Sequence, residues 1–134
     1  MTKNFLPFSL SAHAVSAAAG GTISTQIAFS PPFQGLVYKT LLSATGTGPT
    51  VYGVSIPLTQ DQYTLHSYHG IYPVTQSGMH GTLDSRGAAS GSFTIPAGLP
   101  TSMIGSIFYL AAIAEPAGGI PVISSIYASL TIVP

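Results

Sequence analysis

Ile126-Tyr127-Ala128-Ser129-Leu130-Thr131-Ile132 places an apolar residue at every second position, with Tyr127, Ser129 and Thr131 between them. A period of two is the signature of a half-buried strand, because successive side chains leave a pleated backbone on opposite faces. The same alternation recurs at Tyr52, Val54, Ile56 and Leu58, and at Leu6, Phe8, Leu10 and Ala12. Glycine and proline fall between such segments as punctuation: Gly20-Gly21, Ser30-Pro31-Pro32, Gly46-Thr47-Gly48-Pro49, Gln76-Ser77-Gly78, Ser85-Arg86-Gly87 and Ala117-Gly118-Gly119. Strands rich in Ile, Val, Thr, Tyr and Phe, broken by turns at intervals of about 8–12 residues, predict an all-β antiparallel sandwich. The expected form is Ig-like or jelly-roll-type with about 7–9 strands. The strands are expected at 5–15, 22–29, 36–45, 50–58, 63–74, 79–84, 91–95, 104–114 and 122–133 as one domain, 1–134. The alanine-rich stretch 12–19 is the one place where a short helix would fit, but it has no capping box and a double glycine follows. Segment 104–114 is apolar on both faces from Ile107 onward. Such a strand is covered twice by its own fold, or once by the core and once by another subunit.

The charge inventory is the second constraint. Of 134 residues, three are Lys or Arg and three are Asp or Glu, so 4% are charged where soluble proteins average about 25%. A folded monomer of this length exposes roughly 6,600 Å², so ionic groups are very sparse on it. There is no basic patch to neutralise phosphates, which excludes a nucleic-acid footprint. With 46% apolar residues and no net charge, the chain is also the reverse of a disordered segment. Cysteine is absent, so disulfides and thiolate metal sites are excluded. No apolar run reaches the roughly 18–20 residues of a membrane helix, so no membrane insertion is expected. Lys3 followed by 5–15 and Ala17-Ala18-Ala19 loosely imitates a secretory signal, but Pro7, Ser9, Ser11 and His13 interrupt it, and the segment is expected to stay with the domain.

From Leu36 onward the order of features is Tyr38–Gly46, Val54-Ser-Ile-Pro-Leu58, Gly81-Thr-Leu-Asp-Ser-Arg-Gly-Ala88, Phe93-Thr-Ile-Pro96, Ile104–Ala112 and Ile123–Ile132. This order resembles a β-sandwich module at the C-termini of secreted proteins of planctomycetes and related bacteria. The resemblance covers about three quarters of the chain. It implies an extracellular or cell-surface module that is not an enzyme, and it supplies no catalytic residues.

Residue chemistry agrees with that absence. His66, His69 and His80 would make three nitrogen ligands, yet on a strand 66 and 69 face opposite ways. No metal and no cofactor is therefore expected. Asp61, Asp84 and Glu115 are the only carboxylates. The first two read as turn residues bonding nearby backbone N–H groups, and Glu115 reads as a strand end before Pro116. No Gly-x-Ser-x-Gly nucleophile elbow occurs. Tyr63, His66, Tyr68, His69 and Tyr72 make 62–72 the richest polar-aromatic segment, which would suit a sugar-binding platform.

Natural sheets protect their edges with charge, and net charge keeps proteins apart in solution. A domain lacking both is expected to associate with copies of itself. The function expected is a structural subunit of an extracellular homopolymeric assembly: a fibre, sheath or surface layer. The expected self-association residues are Leu6, Phe8 and Leu10 on an N-terminal strand (1–15) that adds to a neighbour's sheet, together with Ile107, Tyr109 and Ile113. The alternatives are a carbohydrate-binding or adhesion module that takes glycans with 62–72, and a viral or phage capsid decoration protein.

Overall fold

A computed structural model describes residues 8–134; Leu6 of the expected arm lies outside them. The fold is mostly β, with twelve strands, most of them short, and one α-helix among the described residues. Strands β1 (Phe8–Leu10), β3 (Gly21–Ala28), β9 (Ala88–Ile95) and β7 (Thr75–Ser77) form one sheet in the order β1-β3-β9-β7. A larger sheet runs β2 (Ala14–Ser16), β12 (Ala128–Val133), β10 (Ile107–Glu115), β4 (Val37–Ser43) and β8 (His80–Thr82), with β11 (Ile123–Ser124) also paired to β10. The larger sheet curls as a half-barrel. The strand count exceeds the 7–9 expected because segments 5–15, 50–58 and 122–133 each divide into two strands and β7 falls outside the expected segments.

Each break has a local cause. Segment 5–15 is divided at Ser11-Ala12-His13: Phe8–Leu10 pairs antiparallel with β3, and Ala14–Ser16 crosses to the other sheet and runs parallel to β12. The junction is tied from both sides, by Ser11 N–H to Ser24 O (2.9 Å) and by Thr131 N–H to His13 O (2.9 Å). The described part of the N-terminal segment therefore pairs within its own chain. Segment 50–58 folds into a hairpin of β5 (Thr50–Tyr52) and β6 (Val54–Ile56) about Gly53. Gly53 has φ +75°, and a Cβ there would lie 2.2 Å from Pro121 O, so only glycine can make this turn against its neighbour.

The segment expected as a strand over 63–74 is instead helix α1 (Gln62–Tyr68), and the alanine-rich 12–19 is not helical. The cause is a reciprocal capping box. Asp61 Oδ1 accepts from Thr64 N–H (3.1 Å) and Thr64 Oγ1 accepts from Asp61 N–H (3.2 Å), which satisfies donors that the first turn leaves unpaired. At the other end Gly70 adopts φ +84°; its N–H donates to Ser67 O and Ile71 N–H donates to His66 O, the paired bonds of a Schellman stop. Strand-favouring tyrosine and threonine yield to these two terminators.

Two cores result. Phe8, Leu10, Ile23, Ile27, Phe93 and Ile95 of the first sheet meet Leu42, Leu110, Ala112, Leu130 and Ile132 of the second. On the other face of β10, Ala111 and Ile113 pack with Leu41, Ile56 and Leu58, with Val54, Tyr68 and Tyr109 beside them. From Leu110 to Ala114 the apolar run in 104–114 is thus covered on both faces by its own chain, while Ile104 and Ile107 stay exposed.

Asp61 joins helix to sheet, since its Oδ2 also accepts from Ala44 N–H (2.9 Å) and Thr45 Oγ1 (2.9 Å). Burial pushes its pKa up, but the bonds from Ala44, Thr64 and Thr45 outweigh this and hold it below the ordinary value. Asp61 therefore contributes stability above the unfolded carboxylate range, and that contribution is lost as pH falls through its lowered folded pKa. Asp61→Ala is expected to cost about 2 kcal/mol in urea denaturation at neutral pH, with the difference from wild type shrinking below about pH 4.

Candidate functional site

Strand β8 pairs with β4 only from Val37 to Lys39. Beyond it the backbone edge of β4 is satisfied by other means. Leu42 N–H donates to Ser67 Oγ (3.0 Å), and the Tyr72 hydroxyl donates to Thr40 O. Helix α1 therefore lies along the sheet edge, and its side chains separate to the two faces. Tyr63 and Tyr72 turn toward the main core and Tyr68 toward the smaller one. His66 is exposed, and the His69 ring stands edge-on to Tyr68 at 5.4 Å. The five residues expected as a sugar platform are thus divided between two sides of the sheet edge. His80 Nε2 lies 2.7 Å from Ser67 O, so that nitrogen carries the proton it donates to the carbonyl. Burial lowers the His80 pKa. Among the described residues no three His, Asp or Glu side chains gather to hold a metal ion.

The chemically densest point lies on the outer face of the β4–β10 pair. Lys39 is opposite Ile113 in the register, and Glu115 stands two residues along on the same face. Lys39 Nζ is 3.1 Å from Glu115 Oε2, and the Tyr68 hydroxyl donates to Glu115 Oε1 at 2.8 Å. Nζ also sits 3.6 Å from the centre of the Tyr68 ring, a cation–π contact. Tyr52 on the hairpin meets Tyr68 edge-on at 5.7 Å. Glu115, read from sequence as a strand end, is only 5% exposed. Burial first, and then the bond to the carboxylate, push the Tyr68 phenol well above its ordinary pKa. Both carboxylate oxygens are engaged and the phenol is held protonated, so the cluster ties β4, β10 and α1 together and offers no free acid or base. Neither Lys39 nor the buried role of Glu115 was singled out in the sequence; the one available signal is a lysine placed inside an apolar strand.

The described surface is left with very little charge. Besides the partly buried Asp61 it carries Asp84 and Arg86. Asp84 closes its own turn by accepting from Arg86 N–H (2.8 Å) and Ala88 N–H (3.0 Å), and these bonds lower its pKa.

Two apolar features remain. A cleft of about 280 Å³ opens between the sheets, with Tyr63, Tyr72, Leu99, Met103 and Phe108 half-buried in its walls and Met79 and Phe93 in its floor. On the opposite side of the larger sheet, Val51 is 76% exposed at the hairpin. Tyr52 is exposed beside it and Ile120 approaches Gly53; Val122, Ile126 and Tyr127 are exposed farther along the chain, and Tyr127 stands edge-on to Tyr109 at 5.8 Å. Of the expected self-association residues, Phe8 and Leu10 are in the main core. Ile107, Tyr109 and Ile113 alternate onto one face of β10, where Ile107 is exposed, Tyr109 half-buried and Ile113 fully buried at 0%. Ile113 has no surface with which to meet another copy. Val51 and Tyr52 were not identified from sequence, because the hairpin that displays them was read as a continuous strand; Ile120 and Val122, also not identified, lie in the connection between β10 and β11.

No protein-family model matches this chain, and no curated protein matches it. Among solved structures it is similar to the crystal structure of the E. coli chaperone DraB, with a TM-score of 0.49 and 11% identity, over 97% of this chain and 56% of that one. The chain thus spans little more than half the length of that structure.

Removing one member of a buried pair strands the other charge. Lys39→Met is expected to destabilise the fold by about 3–5 kcal/mol in chemical denaturation, and Lys39→Met combined with Glu115→Leu is expected to recover most of that loss.

Proposed function

We propose that this chain is a structural subunit of an extracellular homopolymeric assembly, a fibre, sheath or surface layer, which self-associates through neutral β-rich surfaces and carries out no catalysis. The observation that carries this reading is the disposition of charge. Two of the six charged residues are buried against each other, while large apolar side chains stand exposed on the hairpin and on 120–127. With an accessible surface of 6,520 Å², such a molecule has almost no electrostatic repulsion to keep copies apart. Exposed contiguous apolar patches on soluble domains mark interaction sites. We also read the two facing sheets as an immunoglobulin-like sandwich whose first segment, 8–16, is shared between them. The extracellular setting rests on the resemblance of residues 36–134 to a module of secreted proteins. The separation of Tyr63 and Tyr72 from Tyr68 and His69 favours the assembly reading over a glycan platform built on 62–72.

Sedimentation velocity from micromolar to millimolar concentration tests this reading. The expected outcome is a growing population of oligomers whose proportion barely changes between low and molar salt, because the contacts are uncharged. A single monomeric species throughout, especially one that binds a glycan, would replace the assembly reading with the adhesion module.

A further inference from the structure

We infer that α1 holds shut a self-pairing edge of the larger sheet, and that the backbone of Thr40–Ala44 pairs with the same stretch of a second copy wherever the helix is lost. β8 pairs with β4 only from Val37 to Lys39, and Met79 O takes one further donor, Thr40 N–H (2.9 Å). Past that point Thr40 O, Leu42 N–H and Ala44 N–H, on alternate residues, face away from β10. Each is met by one side chain from 61–72. The Tyr72 hydroxyl donates to Thr40 O, Ser67 Oγ accepts from Leu42 N–H (3.0 Å), and Asp61 Oδ2 accepts from Ala44 N–H (2.9 Å). The Ser67 hydroxyl gives its own proton to Thr64 O (3.1 Å), and His80 Nε2 ties Ser67 O to β8. Three side chains thus do what the backbone of a neighbouring strand would do, and they leave Thr40 and Ser67 at 0% exposure.

Without the helix nothing else in this stretch would keep another strand away. Natural sheets blunt an edge with lysine, with proline or with a covering element. Thr40–Ala44 contains neither lysine nor proline, and Lys39, the nearest cation, is spent on Glu115 at 3.1 Å. The edge is also complementary to itself. Two copies laid antiparallel about Leu42 set Leu42 opposite Leu42 and Thr40 opposite Ala44. Each Leu42 N–H then meets Leu42 O of the second copy, and each Ala44 N–H meets Thr40 O. All three groups that α1 satisfies regain a partner. The same register sets Leu41 opposite Ser43, so no like charges face each other. β8 keeps the contact off Val37–Lys39. A two-fold contact of this kind closes on itself and yields a dimer. The inference stands apart from the assembly reading, which concerns surfaces left open rather than the one the helix closes.

Breaking the helix tests the guard. Leu65 is 50% exposed on α1 and its N–H donates to Asp61 O (3.2 Å), so Leu65→Pro disrupts α1 while leaving both cores intact. Sedimentation velocity over the same concentrations is expected to show this variant pairing at least about tenfold more tightly than wild type. The amide of Leu42 is expected to exchange quickly in the dilute variant and slowly in its dimer. Adding Ala44→Pro, which removes the Ala44 donor, is expected to return association to the wild-type level. If Leu65→Pro unfolds the chain, Ser67→Ala with Tyr72→Phe frees Leu42 N–H and Thr40 O and takes its place. A folded variant of either kind that associates no more than wild type, or whose added association survives Ala44→Pro, would overturn the inference. Neither result touches the assembly reading, which the wild-type chain alone decides.

Discussion

The run Leu110-Ala-Ala-Ile-Ala-Glu115 has both its faces buried, and much of the molecule follows from covering it. Its inner face meets the first sheet across the main core; its outer face is covered by Leu41, the β5–β6 hairpin with Leu58, and Tyr68 from α1. Because the strand ends in a carboxylate at 5% exposure, a counter-charge must stand beside it, and Lys39 on the neighbouring strand supplies it at 3.1 Å. The ion pair and the Tyr68 hydroxyl then fix where the helix sits. One apolar strand thereby sets the position of the hairpin, the helix and the only salt bridge among the described residues.

The same arrangement thins the charge on the surface. A chain with six ionic groups that buries two of them as a pair leaves polar cover to hydroxyls and backbone. Cover of that kind keeps a surface wet without repelling copies. Meanwhile the hairpin that shields Ile113 exposes Val51 on its own outer side, while Tyr52 stays half-exposed on the side of Val54 and Tyr68. Apolar surface has been moved outward rather than removed, and burying it against another copy gains the usual area-proportional stabilisation.

Strands β3, β4, β9, β10 and β12 were legible in the sequence because period-two patterning and glycine-proline turns agree along them. The double coverage of 104–114 was legible as a pair of alternatives; from Leu110 to Ala114 the chain itself covers both faces, while Ile107 stays exposed. The helix was not read because Tyr63, Thr64 and Tyr68 favour strands, while the signals that decide, Asp61 with Thr64 at the start and Gly70 at the end, are single residues. The hairpin was missed because one glycine turns it; the alternation of Tyr52, Val54, Ile56 and Leu58 continues unbroken through Gly53. The tether of Lys39, Glu115 and Tyr68 joins residues far apart in sequence, so no local pattern reveals it. The sugar platform drawn on 62–72 assumed a strand and dissolved with it, since a helix at a sheet edge sends Tyr63 and Tyr68 to opposite sides.

Amide hydrogen exchange, compared between dilute and concentrated protein, bears most directly on this arrangement. Amides from Leu110 to Glu115 are expected to exchange only by global unfolding at both concentrations, while those of 50–56 and 120–127 slow markedly only in the concentrated sample. Fast exchange of Leu110–Glu115 in the dilute protein, with protection appearing on concentration, would show that the second face of β10 is covered by another copy and would contradict it.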